Sequence, residues 1–308
     1  MNARSGRPGC SEQPRQGTGL PQPGEEKTIF VRTLFDTIAP RYDLMNRLMT
    51  AGFYPRWQRC LAAVTGLGPG GHALDVCCGT GDLALIMARQ VAPGGRVVGV
   101  DFSPRMLEIA RRKAARWQAA AVEIEFVRGD ALDLPFADGS FDCAVIGFAL
   151  RNVNDIPRCL AEMARVVRPG GRVLALEVCR PPSPWVRAWF YPYFHTVVPL
   201  LGLLAGFVRG VDEGSPPARG HPRPRGPIHP RGHRAQRRLR PYGYLPRSLA
   251  YLPGLEELAD AFRSAGLTGV SYRVLPPGVV ALHQGTVPDR CGGPAHGAQQ
   301  GKGPACVE

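Results

Sequence analysis

The stretch that decides the fold spans residues 74–82 and has the sequence LDVCCGTGD. It begins as a β-rich run, passes through Gly79 and Gly81, and continues into a helical pattern. Glycines at such a junction let the backbone approach a ligand closely, and the amides of the helix N-terminus that follows point towards that ligand. The stretch therefore predicts a strand, a ligand-binding turn and a helix, in that order.

Outward from this stretch, short β-rich runs alternate with helical segments. The runs cover residues 72–76, 96–100, 124–127, 143–147 and 172–178. Alternation of this kind predicts an α/β fold with a doubly wound, mostly parallel sheet. Residues 270–283 contain two further strand patterns joined by Leu-Pro-Pro-Gly, which is short enough for an antiparallel hairpin at the sheet edge.

The segments around this core differ from it in composition. Residues 1–27 are polar, rich in Gly and Pro and without a secretory h-region, so we expect a disordered leader. Residues 28–66 have apolar side chains at helical spacing, namely Phe30, Leu34, Ile38, Leu44 and Leu48, with breaks at Pro40 and Pro55. They predict a helical cap that opens a catalytic domain running from 28 to 285. Residues 209–241, rich in Arg, Pro, Gly and His, predict a disordered insertion within that domain, and residues 286–308 a disordered tail.

Charge and cysteine content narrow the class of protein. The formal net charge is +13, and nine Arg against two acidic residues between 209 and 240 supply +7 of it. A basic nucleic-acid-binding surface is therefore not needed to explain the charge, and no nucleic-acid partner is expected. The nine cysteines are scattered and form no CxxC pair, which favours a reduced, cytoplasmic protein without a zinc site or other metal centre.

One apolar stretch admits a membrane interpretation. Residues 188–208 contain no formal charge and are long enough to span a bilayer. Two prolines, a histidine and several aromatic residues interrupt the stretch. We therefore favour a hydrophobic lid or substrate wall over a transmembrane helix.

The glycine turn alone does not identify its ligand. Gly79, Gly81 and Ala84 satisfy the loose dinucleotide fingerprint, and Asp101 follows Gly81 by 20 residues, as the ribose-binding acid of a NAD enzyme would. Asp75 favours S-adenosylmethionine over NAD as the ligand. A carboxylate four positions before Gly79 would repel the pyrophosphate of NAD but attract the ammonium group of S-adenosylmethionine.

Two further acidic residues follow the next strands. Asp101 closes the second strand, where it can accept both ribose hydroxyls, and Asp130 with Ala131 follows the third, where the adenine edge would lie. An isolated aspartate at a strand end is more often a helix cap than a ligand. Three of them at the carboxyl ends of successive strands, where doubly wound sheets bind their ligands, make coincidence the poorer explanation.

At this point the chain resembles the ubiquinone/menaquinone biosynthesis C-methyltransferases, a family of class I, Rossmann-like, S-adenosylmethionine-dependent enzymes. The resemblance covers roughly residues 28–208 and 242–285. It is carried by the pattern FDxIAxxYDxxN at 35–46, the run at 74–82, GFALRN at 147–152, RPGG at 168–171 and GVVALH at 278–283. The resemblance implies cofactor contacts at Thr80, Asp101, Asp130, Ala131 and at Gly147, where some members have Ser, beside Asp75, Gly79 and Gly81 of the turn.

The family chemistry implies methyl transfer to a ring carbon next to a quinol hydroxyl. Ionising a phenol-like hydroxyl of pKa ~10 at pH 7 costs about 4 kcal/mol, which a cation or a base would lower. We predict that Arg151 stabilises the developing oxyanion and that Asp82 acts as a base directly or through water; Tyr42, Asp43 and His195 are weaker candidates. The alternative structural roles are a pair of Arg151 with Asp155, and Asp82 at the positive end of its helix.

The favoured reaction is methylation of demethylmenaquinol to menaquinol, with a polyprenylated quinol as substrate. Such a tail would rest in the bilayer, so we expect peripheral contact at the inner face of the cell membrane, and homo-oligomerisation is left open. The rivals are a ubiquinone precursor or another small aromatic acceptor, a NAD-dependent oxidoreductase, and a nucleic-acid-binding protein that uses the Arg-rich segment. The insertion at 209–241 interrupts the family pattern near its substrate side, which puts substrate access in question.

Overall fold

A computed structural model describes residues 24–117, 121–198, 200–201, 244 and 248–289. The predicted insertion at 209–241 lies outside the described residues, as do residues 1–23 of the predicted leader and 290–308 of the predicted tail. Both predicted boundaries differ from the structure. The first helix already begins at Glu25, because two glutamates in its first turn favour the helix N-terminus, and the last strand continues to Thr286.

The amino-terminal cap consists of helices α1 (Glu25–Ile38), α2 (Tyr42–Met49) and α3 (Tyr54–Ala63), with a 3₁₀ turn at Ala39–Arg41. Pro40 lies in that turn and Pro55 in the first turn of α3, so both predicted breaks fall at helix boundaries. In α1 the buried residues follow helical spacing through Val31, Leu34 and Ile38. In α2 the expected apolar stripe is different: Met45 is buried, whereas Leu44 and Leu48 are exposed.

The sheet has seven strands. In chain order they are β1 (His72–Val76), β2 (Arg96–Asp101), β3 (Glu123–Arg128), β4 (Phe141–Gly147), β5 (Val167–Val178), β6 (Thr268–Leu275) and β7 (Val280–Thr286). Their spatial order is β3-β2-β1-β4-β5-β7-β6, parallel from β3 to β5 and antiparallel at β7 and β6. The predicted doubly wound sheet and its antiparallel hairpin are confirmed, with β7 inserted between β5 and the edge strand β6.

Helices cover both faces of the sheet. They are α4 (Asp82–Val91), α5 (Pro104–Arg116), α6 (Ile156–Val166), α7 (Pro184–Pro192) and α8 (Leu255–Ser264). Two large clusters of buried side chains result, one around Leu83, Met87 and Leu174 and the other around Leu74, Ile146 and Met163. The central strands are therefore apolar on both sides, as expected for parallel strands.

The strand order reverses between β1 and β4, which are neighbours in the sheet but are separated in sequence by β2 and β3. A crevice opens at such a switch point outside the carboxyl ends of the strands, and ligands of doubly wound sheets bind there. The helical cap packs over this edge: α1 contacts α5, and α3 contacts α4 and β5. Any ligand at the switch point is thus enclosed between the sheet and the cap.

The apolar stretch at 188–208 begins in α7 and continues into a π-helical turn at Tyr193–Val197. Within the described parts of the chain, no helix is long and apolar enough to cross a membrane. Residues 202–208 of the stretch lie outside those parts.

Candidate active site

A cavity of about 440 Å³ lies at the switch point, at the ends of β1, β2, β3 and β4. We call it the strand-end cavity. Five of the residues predicted to bind a cofactor line it, namely Gly79, Asp101, Asp130, Ala131 and Gly147. Its outer wall comes from α1, through Thr28, Arg32 and Phe35 among others. The cavity is therefore formed jointly by the sheet and the cap.

Asp101 lies at the end of β2 with only 6% of its surface exposed. Its Oδ1 accepts a hydrogen bond from the Ser103 amide and its Oδ2 one from the Gly79 amide, both at 2.9 Å. Burial raises the pKa of this carboxyl to about 6, against the opposing effect of those amides. Each carboxylate oxygen has a second lone pair, so Asp101 is placed to accept two further hydroxyl groups from a ligand in the cavity.

Asp75, in β1, is almost fully buried, and its Oδ2 has no hydrogen-bond partner among the described residues. Burial raises the pKa of this carboxyl well above its usual value, with the charges of Asp101 and Asp82 adding to the effect. A buried carboxylate oxygen without a partner is costly in the free protein. A ligand cation in hydrogen-bond range would satisfy it.

A small recess of about 20 Å³ lies between Asp75, Gly79, Thr80 and Asp82, and it also contacts Tyr42 and Phe148. We call it the bridging recess. The side chains of Thr80 and Asp82 line this recess, but both are already engaged by other side chains, which the sequence did not predict. The Lys113 ammonium lies 2.5 Å from Asp82 Oδ1, 2.5 Å from Asp43 Oδ2 and 3.0 Å from Thr80 Oγ1.

The Thr80 hydroxyl in turn donates to Asp43 Oδ1 at 2.5 Å. These four side chains, Asp43, Thr80, Asp82 and Lys113, form one polar cluster that ties α2 to the glycine turn and to α5. The sequence offered no sign of Lys113, which is 31 residues away from Asp82.

A second cavity, of about 210 Å³, lies on the other side of the bridging recess. We call it the aromatic cavity. Its lining is mostly apolar and comes from α2, α3, α7, the π-helical turn and the hairpin turn. Its aromatic residues are Phe35, Tyr42, Phe53, Tyr54, Trp57, Phe148, Trp189, Phe190, Tyr193 and Phe194. Arg151 is the cationic side chain that lines it.

Arg151 follows β4 in a 3₁₀ turn and is held from behind. Its Nη1 donates to the Phe148 carbonyl at 2.7 Å and to Glu177 Oε1 at 2.5 Å. The alternative pairing with Asp155 is wrong, because the Asp155 side chain accepts the Arg158 amide and caps α6 instead. Glu177, in the strand predicted at 172–178, received no role from the sequence.

Tyr42 and Phe148 line the strand-end cavity, the bridging recess and the aromatic cavity alike. The backbone of Phe148 is left-handed, with φ 57°, and so is that of Cys77, with φ 56°, at the end of β1. Such backbone is strained for residues other than Gly and occurs preferentially at functional sites. The two cavities therefore meet at a strained aromatic wall.

Three other predicted residues are Gly147, Gly81 and His195, and of these only Gly147 lines the site. A Cβ added to Gly147 would lie 3.6 Å from Leu83 Cδ2, so the Ser of some family members would fit. Gly81 lines none of the three spaces; it caps α4 with φ 82° and lies against α5 and β3. His195 is exposed and stacks on Tyr191; it lines a separate pocket behind Phe190 and does not line the aromatic cavity.

The residues present fit S-adenosylmethionine. Asp75 offers a buried carboxylate oxygen, unpartnered among the described residues, for an ammonium; Asp101 offers acceptors for ribose hydroxyls; and Asp130 and Ala131 line the strand-end cavity, where the sequence predicts the adenine. A pyrophosphate in place of the methionine portion would meet Asp75 and Asp82 together, which like charges disfavour. Among the residues that the structure describes, no cluster of side chains could hold a metal ion.

Comparisons with known proteins agree with this geometry. The family model described as "ubiE/COQ5 methyltransferase family" matches residues 22–208 and 232–287, and the match is interrupted at 209–231, inside the predicted insertion. A demethylmenaquinone methyltransferase from Symbiobacterium thermophilum is 42% identical over 266 residues, which are 86% of this chain and 96% of that protein. Proteins of the same name from Desulfitobacterium hafniense and Bacillus cereus are each 35% identical over 86% of this chain, and the alignments cover 92% and 98% of their lengths.

Solved structures share the fold at low identity. An S-adenosylmethionine-dependent methyltransferase from Thermotoga maritima has 20% identity and a TM-score of 0.50, covering 83% of this chain and 98% of that one. A phosphoethanolamine N-methyltransferase from Haemonchus contortus, solved in complex with S-adenosyl-L-methionine, has 14% identity and a TM-score of 0.52, covering 83% of this chain and 60% of that one. The predicted methyltransferase fold is confirmed. With the family model matching most of its length, the chain belongs to the ubiE/COQ5 methyltransferase family.

Proposed function

We propose that this chain transfers a methyl group from S-adenosylmethionine to a ring carbon of demethylmenaquinol and so forms menaquinol in menaquinone biosynthesis. The observation that carries the proposal is the junction at Tyr42 and Phe148, where the strand-end cavity, with the carboxylates of Asp101 and Asp130, meets the more apolar aromatic cavity, with the guanidinium of Arg151. The shared name of the three relatives supports this acceptor.

In the strand-end cavity and the bridging recess, the residues bind and orient the methyl donor. S-adenosylmethionine, when bound, supplies an electrophilic methyl group. Asp75 holds the ammonium, Asp101 accepts the ribose hydroxyls, and Asp130 and Ala131 face the adenine. We assign Asp82 to holding the glycine turn through Lys113 rather than to deprotonating the acceptor, because it lines the bridging recess and not the aromatic cavity.

On the acceptor side, the aromatic cavity takes the quinol ring edge-on to the junction and excludes water. The ring carbon would displace S-adenosylhomocysteine from the methyl group, so that the C–CH3 bond forms as the S–CH3 bond breaks, and the carbon would then lose its own hydrogen as a proton to restore the quinol. For this attack the neighbouring hydroxyl must first give its proton to water, which leaves negative charge on the oxygen. The Arg151 guanidinium, already oriented in a mostly apolar environment, stabilises that charge more than water would. Burial raises the pKa of the Tyr42 and Tyr54 phenols, so both stay neutral and serve as hydrogen-bonding groups rather than as anions.

The direct test is transfer of labelled methyl from S-adenosylmethionine to chemically reduced demethylmenaquinol by the purified chain. We expect product from the wild type, and about a 100-fold or greater loss of kcat in Arg151→Met, as for removal of one preorganised oxyanion donor. Binding of S-adenosylhomocysteine should be unchanged in that variant. Equal loss of turnover and cofactor affinity would contradict the assignment of Arg151.

The competing function is methylation of a ubiquinone precursor or another small aromatic acceptor. A reduced benzoquinol with the same tail, offered beside demethylmenaquinol at equal concentration, distinguishes the two. Preference for the benzoquinol would mean that the acceptor is a ubiquinone precursor rather than demethylmenaquinol, and the residues assigned to the methyl donor would be unaffected. Binding of NAD in place of S-adenosylhomocysteine would overturn both.

We further propose that the mouth of the aromatic cavity rests on a membrane surface. The two helices α2 and α7, which both line the aromatic cavity, carry large exposed apolar side chains: Leu44 by 57%, Leu48 by 47%, Trp185 by 84% and Trp189 by 47%. The Tyr193 hydroxyl donates to the Met49 carbonyl and so joins the two segments, and Trp189 also lines the cavity. Tryptophan and leucine on helices of this kind favour the lipid interface, where a polyprenyl tail would enter.

Co-sedimentation with vesicles containing anionic lipid tests this contact. Trp185→Ser and Leu44→Ser should each reduce the bound fraction, since each removes apolar area from the interface. Tyr272→Ser, which removes an exposed aromatic residue from the edge strand β6, is the matched control and should not. Equal effects of all three substitutions would argue against a defined membrane face.

A further inference from the structure

The structure places a buried carboxylate directly behind the guanidinium that lines the aromatic cavity. Glu177 is 2% exposed, and it accepts Arg151 Nη1 through the same oxygen, Oε1, that accepts the Val178 amide at 3.0 Å. The Arg151 side chain is 11% exposed and the Glu177 side chain 3%. The two form an ion pair that is largely removed from water.

Stability does not explain this pair. Two buried charges gain little over well-packed apolar residues of the same volume, because desolvation offsets their attraction. Glu177 Oε2 adds to the cost, since it is buried without a hydrogen-bond partner among the described residues. A buried pair of this kind needs another reason to be present, and its position beside the cavity supplies one.

The backbone around Arg151 cannot orient the side chain unaided. Arg151 lies in a 3₁₀ turn of three residues that follows the strained residue Phe148. The end of β5 holds both: the Phe148 amide donates to the Leu176 carbonyl at 2.7 Å, and Glu177, the next residue, holds Arg151. Because Gly147 and Leu176 are paired in the sheet, this arrangement follows from the strand register.

We infer that Glu177 is a positioning residue of the methyl transfer: it holds the Arg151 guanidinium against the aromatic cavity and balances its charge while the cavity is empty. Through Nη1, Glu177 and the Phe148 carbonyl fix one edge of the planar guanidinium. Because the guanidinium is planar, fixing one edge also restricts the orientation of the other edge, which is directed towards the position of the acceptor oxygen. This inference rests on the proposed role of Arg151.

The test is a double-mutant cycle on kcat with Glu177→Gln, Arg151→Met and the double variant. Glutamine keeps the size and one acceptor but removes the charge. We expect Glu177→Gln to lower kcat and kcat/KM for the acceptor equally, by about 10- to 100-fold, as for a misplaced oxyanion donor. In the Arg151→Met background the same substitution should change kcat less than twofold.

Asp142→Asn is the matched control. Asp142 also accepts hydrogen bonds from the Arg168 side chain and from the His72 amide, but it lies at the amino-terminal end of β4, whereas the cavities lie at the carboxyl end. We expect this variant to keep the wild-type kcat. Thermal unfolding and S-adenosylhomocysteine binding, measured for every variant, separate misfolding from mispositioning.

Two results would overturn the inference: wild-type kcat in Glu177→Gln, or the same fold-loss from Glu177→Gln whether Arg151 is present or not. A wild-type kcat in Arg151→Met is a different failure, because it removes the proposed role of Arg151 itself. A chain that methylates no quinol at all, while still binding S-adenosylhomocysteine, would instead reject the proposed acceptor.

Discussion

At the scale of single residues, Asp75 makes the sharpest demand on its ligand, because its Oδ2 is buried without a partner in the described protein. Asp75→Asn should weaken S-adenosylhomocysteine by about 10- to 100-fold, the worth of one hydrogen bond to a charged group. Methylthioadenosine, which lacks the ammonium, should bind both proteins equally in calorimetry. Equal losses for the two ligands would place the ammonium elsewhere.

Asp101 gives a pH dependence with a defined window. Its pKa in the folded protein is raised to about 6, so the carboxylate that accepts ribose hydroxyls is lost as the pH falls through 6. Affinity for methylthioadenosine should therefore drop between pH 7 and 5, by at most about tenfold per pH unit. Asp101→Asn should bind weakly at both values, without that slope.

Protonation of Asp101 does not unfold the protein. A raised folded pKa means that the folded state binds the proton more tightly than the unfolded chain does, so this group adds stability as the pH falls from about 6 towards 4. An unfolding midpoint that falls in step with the affinity would contradict this origin of the pH dependence.

A substitution at Gly81 tests whether the turn depends on its backbone geometry. Its φ is 82°, and an added Cβ would lie 2.9 Å from both Ala110 Cβ and Phe126 Cζ. Gly81→Ala should reduce the free energy of unfolding by about 2 kcal/mol or more, measured in urea. Gly147→Ser, with an open site and no positive φ, should stay within about 1 kcal/mol of wild type.

The sequence anticipated some of these residues for a physical reason. Asp75, Asp101 and Asp130 lie at or just beyond the carboxyl ends of strands that the residue pattern located, so the position of each carboxylate came with its strand. Glu177 and Lys113 could not be found in this way. Their roles depend on which strand lies beside which and on a contact between two helices and a turn, neither of which one-dimensional spacing contains.

At the scale of elements, the polar cluster ties α2 of the cap to the glycine turn and to α5. Lys113 in α5 pairs with Asp43 in α2 and with Asp82 at the start of α4. Lys113→Met should weaken S-adenosylhomocysteine by about five- to tenfold, roughly 1 kcal/mol for a partly exposed network, and should speed its dissociation. Hydrogen exchange of the α2 amides should rise in parallel.

The neighbouring Arg112 is the control for that prediction. It pairs only weakly with Glu108, at 3.9 Å on the exposed face of the same helix. Arg112→Met should leave both affinity and exchange unchanged. A similar effect of the two substitutions would mean that α5 responds to lost charge in general and that the cluster has no special role.

Strands and helix faces differ in how well the sequence pattern predicted them. The apolar core of each predicted strand is confirmed, because such runs allow few alternatives, but β5 begins at Val167, five residues before the predicted start. The exposure of Leu44 and Leu48 was missed, since helical spacing of apolar residues normally indicates a buried face. Here α2 presents Met45 and Met49 to the aromatic cavity and leaves Leu44 and Leu48 exposed, and spacing alone does not distinguish the two faces.

At the scale of the whole molecule, the family match is interrupted over residues 209–231. A chain lacking these residues should bind S-adenosylhomocysteine as tightly as the full chain, because the three spaces of the site are lined by described residues on either side. Methyl transfer to demethylmenaquinol is the informative comparison. Product only from the shortened chain would mean that the segment obstructs the acceptor, and weaker cofactor binding in it would contradict the prediction.

The two cavities also bear on how such a protein diverges. The strand-end cavity takes its walls from the ends of the parallel strands and α1, while the aromatic cavity takes most of its walls from α2, α3, α7 and the hairpin turn. Mutations in the latter set can therefore change which acceptor is accepted without altering the donor. Phe35, Tyr42 and Phe148 belong to both walls, so a new acceptor that required changes at those three positions would have to be selected together with a restored affinity for the donor.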